Sequence, residues 1–357
     1  MSASGALQGS LSQVWQPFAL IAGLLLIGRI AASDGLFEAV GARLARVLSN
    51  GLALFASMMF LVAVVTAVLN LDTSVVFMTP VLIHAARQRG IKEDAFLYGV
   101  IFMSNGASLL LPGSNLTNIL VLSTSHLLPS AFALRMLIPW IGSIAVITAL
   151  LAIWRWRDLR APVDGEVQAP PLRWGLGIAG IVLATVFVLT MTRPALAVLI
   201  TGVALVVTQV ALTHRLTSQQ ARRSLQIRTL LTLFLVAVGF GVLARLWTGP
   251  AHLMNSVGPW ASAGIGAGLS NVVNNLPAAV LLSSHRLDHP LALLVGLDLG
   301  SNLLVIGAMS SLLWLRIARG EGAKPSASRF TKIGLIVTPC SMVVAMAALR
   351  LVAPRSF

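Results

Sequence analysis

Two apolar stretches, Leu52 to His84 and Asp94 to Leu128, are each far longer than one membrane crossing and each interrupted by polar residues. A spanning helix needs roughly 20 apolar residues. Broken backbone at membrane depth is tolerated only where it is buried in protein or lines a cavity. Composition agrees with a bilayer protein. Of 357 residues, 57% are hydrophobic and 10% charged, against about 25% charged in a soluble domain. Mean hydropathy is +0.89. Such a chain has too little polar surface for a cytosolic enzyme, a disordered protein or a secreted disulfide scaffold. Cys340, the single cysteine, makes neither an internal disulfide nor a multi-thiolate metal site.

The apolar pattern predicts an all-α polytopic membrane protein with about eight crossings and two re-entrant hairpins. A first repeat spans 14–154: a span from Val14, a short interfacial helix, a hairpin at 51–87, a broken helix at 93–128 and a span at 131–154. In the interfacial helix Leu36, Val40, Leu44 and Val47 fall on one face, with Arg43 and Arg46 off it, as expected for a helix lying in the membrane interface. Residues 155–173 form a linker. A second repeat spans 174–351, with spans at 174–192, 195–212, 229–247 and 332–350, a hairpin at 260–285 and a broken helix at 290–317. The polar, basic segment Thr217–Gln226 is a loop.

The net charge of +14 serves topology, because the basic residues flank apolar segments. Nineteen Lys and Arg fall on one side of this map and six on the other. The richer side is therefore expected to be cytoplasmic, in the plasma (inner) membrane, with both termini outside. Met1 to Gln13 lack the basic n-region of a signal peptide. The eight tryptophans are expected in an aromatic belt, the six histidines at segment ends or in loops, and Cys340 as packing filler.

Gly113-Ser-Asn-Leu116 recurs as Gly300-Ser-Asn-Leu303, each copy inside an over-long apolar segment. Upstream of each lies another interruption, Asn70–Thr73 and Asn271–Pro277. Two inverted repeats, each with a hairpin and a discontinuous helix, are the signature of a secondary transporter.

Candidate ligands follow from the breaks, where amides, hydroxyls and freed carbonyls meet. For substrate or ion they are Asn70, Asp72, Thr73, Asn105, Ser114, Asn115, Thr117, Asn118, Asn271, Asn274, Asn275, Asp298, Ser301 and Asn302. Asp72 and Asp298 are the two acids expected at membrane depth, with no Lys or Arg in the same stretches. An intramembrane carboxylate is costly, so it takes up a proton, binds Na⁺ or caps a half-helix. No phosphate-binding loop, nucleophile elbow, HExxH or CxxC motif is present, and neither a cofactor nor a metal is expected.

Leu69-Asn-Leu-Asp-Thr-Ser-Val-Val-Phe-Met-Thr-Pro80, Ala107-Ser-Leu-Leu-Leu-Pro-Gly-Ser-Asn-Leu-Thr-Asn118, Asn274-Asn-Leu-Pro277 and Gly307-Ala-Met-Ser-Ser-Leu-Leu-Trp-Leu315 resemble the arsenite-efflux permeases (arsenical pump membrane proteins) of the ion transporter superfamily. The divalent-anion/sodium symporters are related. The resemblance covers roughly residues 15 to 351. It implies a scaffold and a hairpin-containing transport domain in each half. The symporters carry Ser-Asn-Thr where this chain has Ser-Asn-Leu, and arsenite permeases often place Asn directly before the hairpin Asp, where Leu71 stands here.

These features lead to an expected proton-linked secondary transporter exporting arsenite or a similar small oxyanion, with Asp72 and Asp298 taking protons. The alternative is sodium-coupled anion or dicarboxylate uptake. A remote third is an intramembrane aspartyl protease, although Gly296-Leu-Asp298 stands where such enzymes have Gly-x-Gly-Asp. Expected partners are the lipid bilayer, a small anionic or neutral hydroxide substrate, and a coupling proton or Na⁺, with no nucleic acid. A homodimer and an ATPase subunit stay open.

Overall fold

The computed structural model describes all residues except 1, 126, 162–164, 166, 168, 214–218, 220–226 and 354–357. His126, His214, Arg215, Arg222, Arg223, Arg355 and nearly all of the Thr217–Gln226 loop therefore lie outside the described residues. Among the described residues all regular structure is helical.

The first half comprises α1 (Ala3–Ser33), α2 (Leu36–Val47), α3 (Gly51–Val68), α4 (Leu71–Gln88), α5 (Asp94–Ala107), α6 (Leu116–Leu122) and α7 (Pro129–Trp154). A short α8 (Trp156–Leu159) follows, then α9 (Leu176–Thr190) and α10 (Ala195–Thr208). The second half comprises α11 (Ile227–Leu246), α12 (Gly249–Ser256), α13 (Pro259–Val273), α14 (Asn275–Leu282), α15 (Pro290–Gly300), α16 (Met309–Gly320) and α17 (Ala327–Val352). Five of these, α1, α3, α7, α11 and α17, are long and apolar enough to cross a bilayer. Local sequence sets the ends. Asn50 accepts from Leu52 N at 2.8 Å to start α3, and prolines open α7, α13 and α15.

Helices α1–α7 correspond one by one to α11–α17. Packing repeats accordingly. Helix α4 lies on α16 as α14 lies on α6, α3 lies on α5 as α13 lies on α15, and α7 lies on α17 across the pseudo-axis. The same order of a long helix, a short helix, a hairpin, a broken helix and a long helix thus occurs twice along the chain. Helices α9 and α10 have no counterparts and pack on α1.

The four-residue recurrence does not mark equivalent positions. Gly113-Ser-Asn-Leu116 lies at the end of the break between α5 and α6, and Gly300-Ser-Asn-Leu303 lies at the start of the break between α15 and α16. Backbone geometry aligns Leu111 (φ −116°, ψ 150°) with Leu304 (φ −125°, ψ 147°), and Asn115 (φ −149°, ψ 146°) with Ala308 (φ −137°, ψ 146°). Asn105 is thus the counterpart of Asp298, and Ser108 of Ser301. Both serines donate to the carbonyl three residues back, at 2.8 and 2.7 Å.

Other expectations are corrected. Helix α1 begins at Ala3 rather than near Val14, because Ser10 donates to Val238 O at 2.8 Å and Gly9 packs on Arg245, seating the first turns against α11. Helix α2 buries Phe37, Ala39, Gly41 and Ala45 within the protein, while Leu36, Val40 and Leu44 are half-buried. Gly41 allows close approach to Val81, and Phe37 stacks on Phe77 at 5.5 Å, which leaves Val47 outward. Trp140 and Trp314 are core residues rather than belt residues, since their Nε1 atoms donate to Ala107 O at 3.0 Å and Leu97 O at 2.8 Å. Cys340 is exposed and fills no core gap.

At one end of the molecule, Asp94 accepts from both Arg155 and Arg329, joining the halves. Arg87 pairs with Glu93 at 2.6 Å, and Lys92 with Asp158 at 2.9 Å. Both pairs use residues that the sequence places on the basic side.

Candidate functional site

Each of the four breaks ends one half-helix and begins another. Three of the new N-termini are capped by asparagine. Asn70 accepts from Thr73 N at 2.7 Å, Asn115 from Thr117 N at 3.3 Å, and Asn274 from Leu276 N at 3.4 Å. The fourth, at Ala308, has no side-chain cap. Capping therefore falls to asparagines and does not explain either aspartate. Asp72 lies in the first turn of α4, and Asp298 in the last turn of α15.

Asp298 is fully buried at the centre of the polar crossing. Its Oδ1 accepts from Thr117 Oγ1 at 2.6 Å and Asn115 Nδ2 at 3.0 Å, and its Oδ2 shares the Ser108 Oγ hydrogen, at 3.2 Å, with Asn105 O. All three donors come from the first-half break, and all are neutral. Asn105 Nδ2 donates to Asn302 Oδ1 at 2.7 Å, and Asn302 Nδ2 donates to Phe102 O at 3.2 Å. The two broken helices thus satisfy each other across the repeat boundary.

The remaining candidates divide into two groups. In the first half, Ser114 Oγ donates to Ala67 O at 2.8 Å, tying the break to the hairpin. Asn118 Nδ2 donates to Ser108 O at 2.7 Å and Leu111 O at 3.1 Å. In the second half, Asn271 Nδ2 donates to Gly300 O and its Oδ1 accepts from Leu304 N, at 2.8 and 2.9 Å. Asn274 Nδ2 donates to Ile306 O at 3.0 Å, so the second hairpin also clasps its break. Asn275 is buried at the start of α14. Ser301 serves only its own turn, through Asp298 O.

Several buried atoms at the breaks have no hydrogen-bond partner among the described residues: Asn70 Nδ2, Thr73 Oγ1, Asn105 Oδ1, Asn118 Oδ1, Ser310 Oγ and Ser311 Oγ. Orphaned polar atoms at such depth are costly, and each asks for a ligand. Ser310 and Ser311 are the counterparts of Thr117 and Asn118 under the structural pairing. Among the described residues no three His, Cys, Asp or Glu side chains come together to hold a metal.

Asp72 shares neither partner nor surroundings with Asp298. It opens onto a separate cavity that also contains Arg316. The stretch around Asp72 holds no basic residue, and the fold supplies one from α16. Ser108 and Arg316 are functional candidates that the sequence reading missed. Ser108 stands one position beyond the end of α5, where a helix stop is a legible signal. Arg316 reads as a topology charge until α16 is seen against α4.

An all-helical protein with paired hairpins and broken helices that meet at a polar centre has the architecture of a membrane transporter. The chain belongs to the citrate transporter (CitMHS) family, which its residues 3–292 match. It is 28% identical to an uncharacterized transporter of Mycobacterium tuberculosis, over 93% of this chain and 84% of that one. It is 26% identical to the arsenical pump membrane protein of Yersinia enterocolitica, over 95% of this chain and 86% of that one. The YdaH transporter of Alcanivorax borkumensis shares the fold, with a TM-score of 0.63 at 16% identity over 97% of this chain and 86% of that one. The protease reading falls with this family assignment.

Proposed function

We propose that this transporter exports arsenite or a similar small inorganic oxyanion in exchange for protons. The observation that carries the reading is Asp298, a fully buried carboxylate whose three bonded partners are all neutral. Such a group is relieved by a proton. The amides and hydroxyls around the breaks suit a small hydroxylated species. Arsenic held by thiolates would need two or three sulfurs, and this chain has one cysteine. The similarity to an arsenical pump membrane protein supports the substrate class.

Sodium-coupled anion uptake is the second reading. Neutral buried oxygens without partners among the described residues, at Thr73, Asn105 and Asn118, are the kind of ligand a hard cation takes. Everted vesicles separate the two readings. Proton-linked export predicts arsenite accumulation driven by a pH gradient and unchanged when choline replaces Na⁺. Accumulation that needs Na⁺ and ignores the pH gradient would reverse the choice. Growth of a pump-deleted bacterial host on arsenite tests the substrate.

The Lys and Arg asymmetry supports a basic end in the cytoplasm, with the protein in the plasma membrane. Cysteines introduced at positions 46 and 87 should then both label from the cytoplasmic side. Labelling from opposite faces would remove the first hairpin.

A further inference from the structure

We propose that the cavity between α1, α4, α11 and α16 is an oxyanion site in which Arg316 binds the anion and Asp72 is its built-in competitor. The cavity measures about 180 Å³, room for a small polyatomic anion with a water or two. Asp72 and Arg316 are its charged lining residues, set among Leu25, Thr229 and Met309. They come from opposite halves of the repeat. Neither makes an ion pair or side-chain hydrogen bond with the described residues, so two opposite charges share one small space without neutralising each other.

The charged groups on elements packed against α4 are few. Helix α1 carries Arg29, α2 carries Glu38, Arg43 and Arg46, α5 carries Asp94, α16 carries Arg316 and Arg319, and α3 carries none. On α4 itself His84 and Arg87 lie at the far end, engaged with Glu321 and Glu93. Across the cavity on α11, Arg228 precedes Thr229. Of these charges only Arg316 lines the cavity with Asp72. Arg29 stands one turn along α1 from Leu25, and its buried Nε has no partner. The field is cationic, with one carboxylate inside it.

A guanidinium presents a planar fork that matches an oxyanion. An ionised Asp72 repels the same anion from within the same cavity. Protonation of Asp72 removes that repulsion and leaves Arg316 to the ligand. Anion occupancy then rises as a proton is taken up at the same cavity, a direct linkage between the two. The cavity shares no residue with the shell of Asp298. The inference uses Asp72 in common with the export reading, but it rests on the cavity and needs no gradient.

The test is equilibrium binding of sulfate, whose charge is constant over the pH range used, to the full chain in detergent by titration calorimetry. Sulfate is added as its choline salt. The parent should bind more tightly as pH falls. Asp72→Asn should bind about tenfold more tightly at neutral pH and lose the pH dependence, as expected when a like charge leaves a small site. Arg316→Gln should abolish binding, and Arg316→Lys should weaken it without abolishing it. Monodisperse elution and parental helicity verify that each variant folds. Sulfate binding retained by Arg316→Gln, a parental pH profile in Asp72→Asn, or no binding by the parent would each overturn the proposal. Intact, pH-linked sulfate binding in a protein that fails to export arsenite supports this site and counts against the export reading alone.

Discussion

Thr117 Oγ1 lies 2.6 Å from Asp298 Oδ1, although 181 positions separate the two residues. The second-half acid is held by the first half, and the break that supplies the hydroxyl also supplies Asn115 and Ser108. Thr117→Val keeps the shape and removes the donor. It should lower stability by about 1–3 kcal/mol, the cost of leaving a buried acceptor unsatisfied, and Thr117→Ser should recover most of that. Thermal unfolding in detergent measures both. In an Asp298→Asn background the same Val change should cost clearly less. Equal costs in the two backgrounds would show that the contact contributes nothing.

Asn274 adopts φ 81° and ψ 150°, a backbone state that side chains other than glycine rarely enter. Two side-chain contacts, to Leu276 N and Ile306 O, hold it there. Asn274→Gly relieves the backbone while losing both contacts, and Asn274→Ala loses the contacts and keeps the strain. The Ala variant should be less stable than the Gly variant by about 1 kcal/mol or more. The reverse order in unfolding midpoints would mean that the backbone stores no strain at this position.

Gly296 sits where a Cβ would meet Ala263 O at 2.0 Å, backbone against backbone. Helices α13 and α15 approach through this point. Gly296→Ala must push them apart, moving Asp298 two residues away. Expression with a broadened, early unfolding transition is expected, whereas Gly264→Ala, which meets open space, should behave like the parent. A normal transition for Gly296→Ala would show that the helices slide freely.

Trp140 and Trp314 are 7% and 0% exposed, against 84% for Trp174. Single-tryptophan variants should separate accordingly. Brominated lipid or acrylamide should quench Trp174 strongly and leave Trp140 and Trp314 nearly untouched. Strong lipid quenching of Trp314 would place α16 on the outside and undo its packing against α4.

The hairpins were legible because Asn70-Leu-Asp and Asn274-Asn cannot sit in a long apolar helix without a reason, and each does end one helix and cap the next. The register of the repeat was not legible. Equivalent positions carry different residues: Asn105 against Asp298, Ser114 against Gly307, Asn115 against Ala308. A chance four-residue identity therefore outweighs the true correspondence, which lives in backbone angles. Ser108 hid as one small residue at the head of an apolar run. Arg316 hid because its role depends on a neighbour in the other half. The tryptophans misled because distance from a segment end says nothing about which face of a helix is buried.

The crossed bonding has a consequence for biogenesis. At about 5–20 residues per second, the roughly 180 residues between Thr117 and Asp298 take on the order of 10–40 s to make. For that interval Ser108, Asn115 and Thr117 stand in or near the translocon without the acid that completes them. A newborn first half is thus an unfinished polar surface at membrane depth. It must be sheltered until α15 arrives, and chains stalled before residue 298 are natural substrates for membrane quality control.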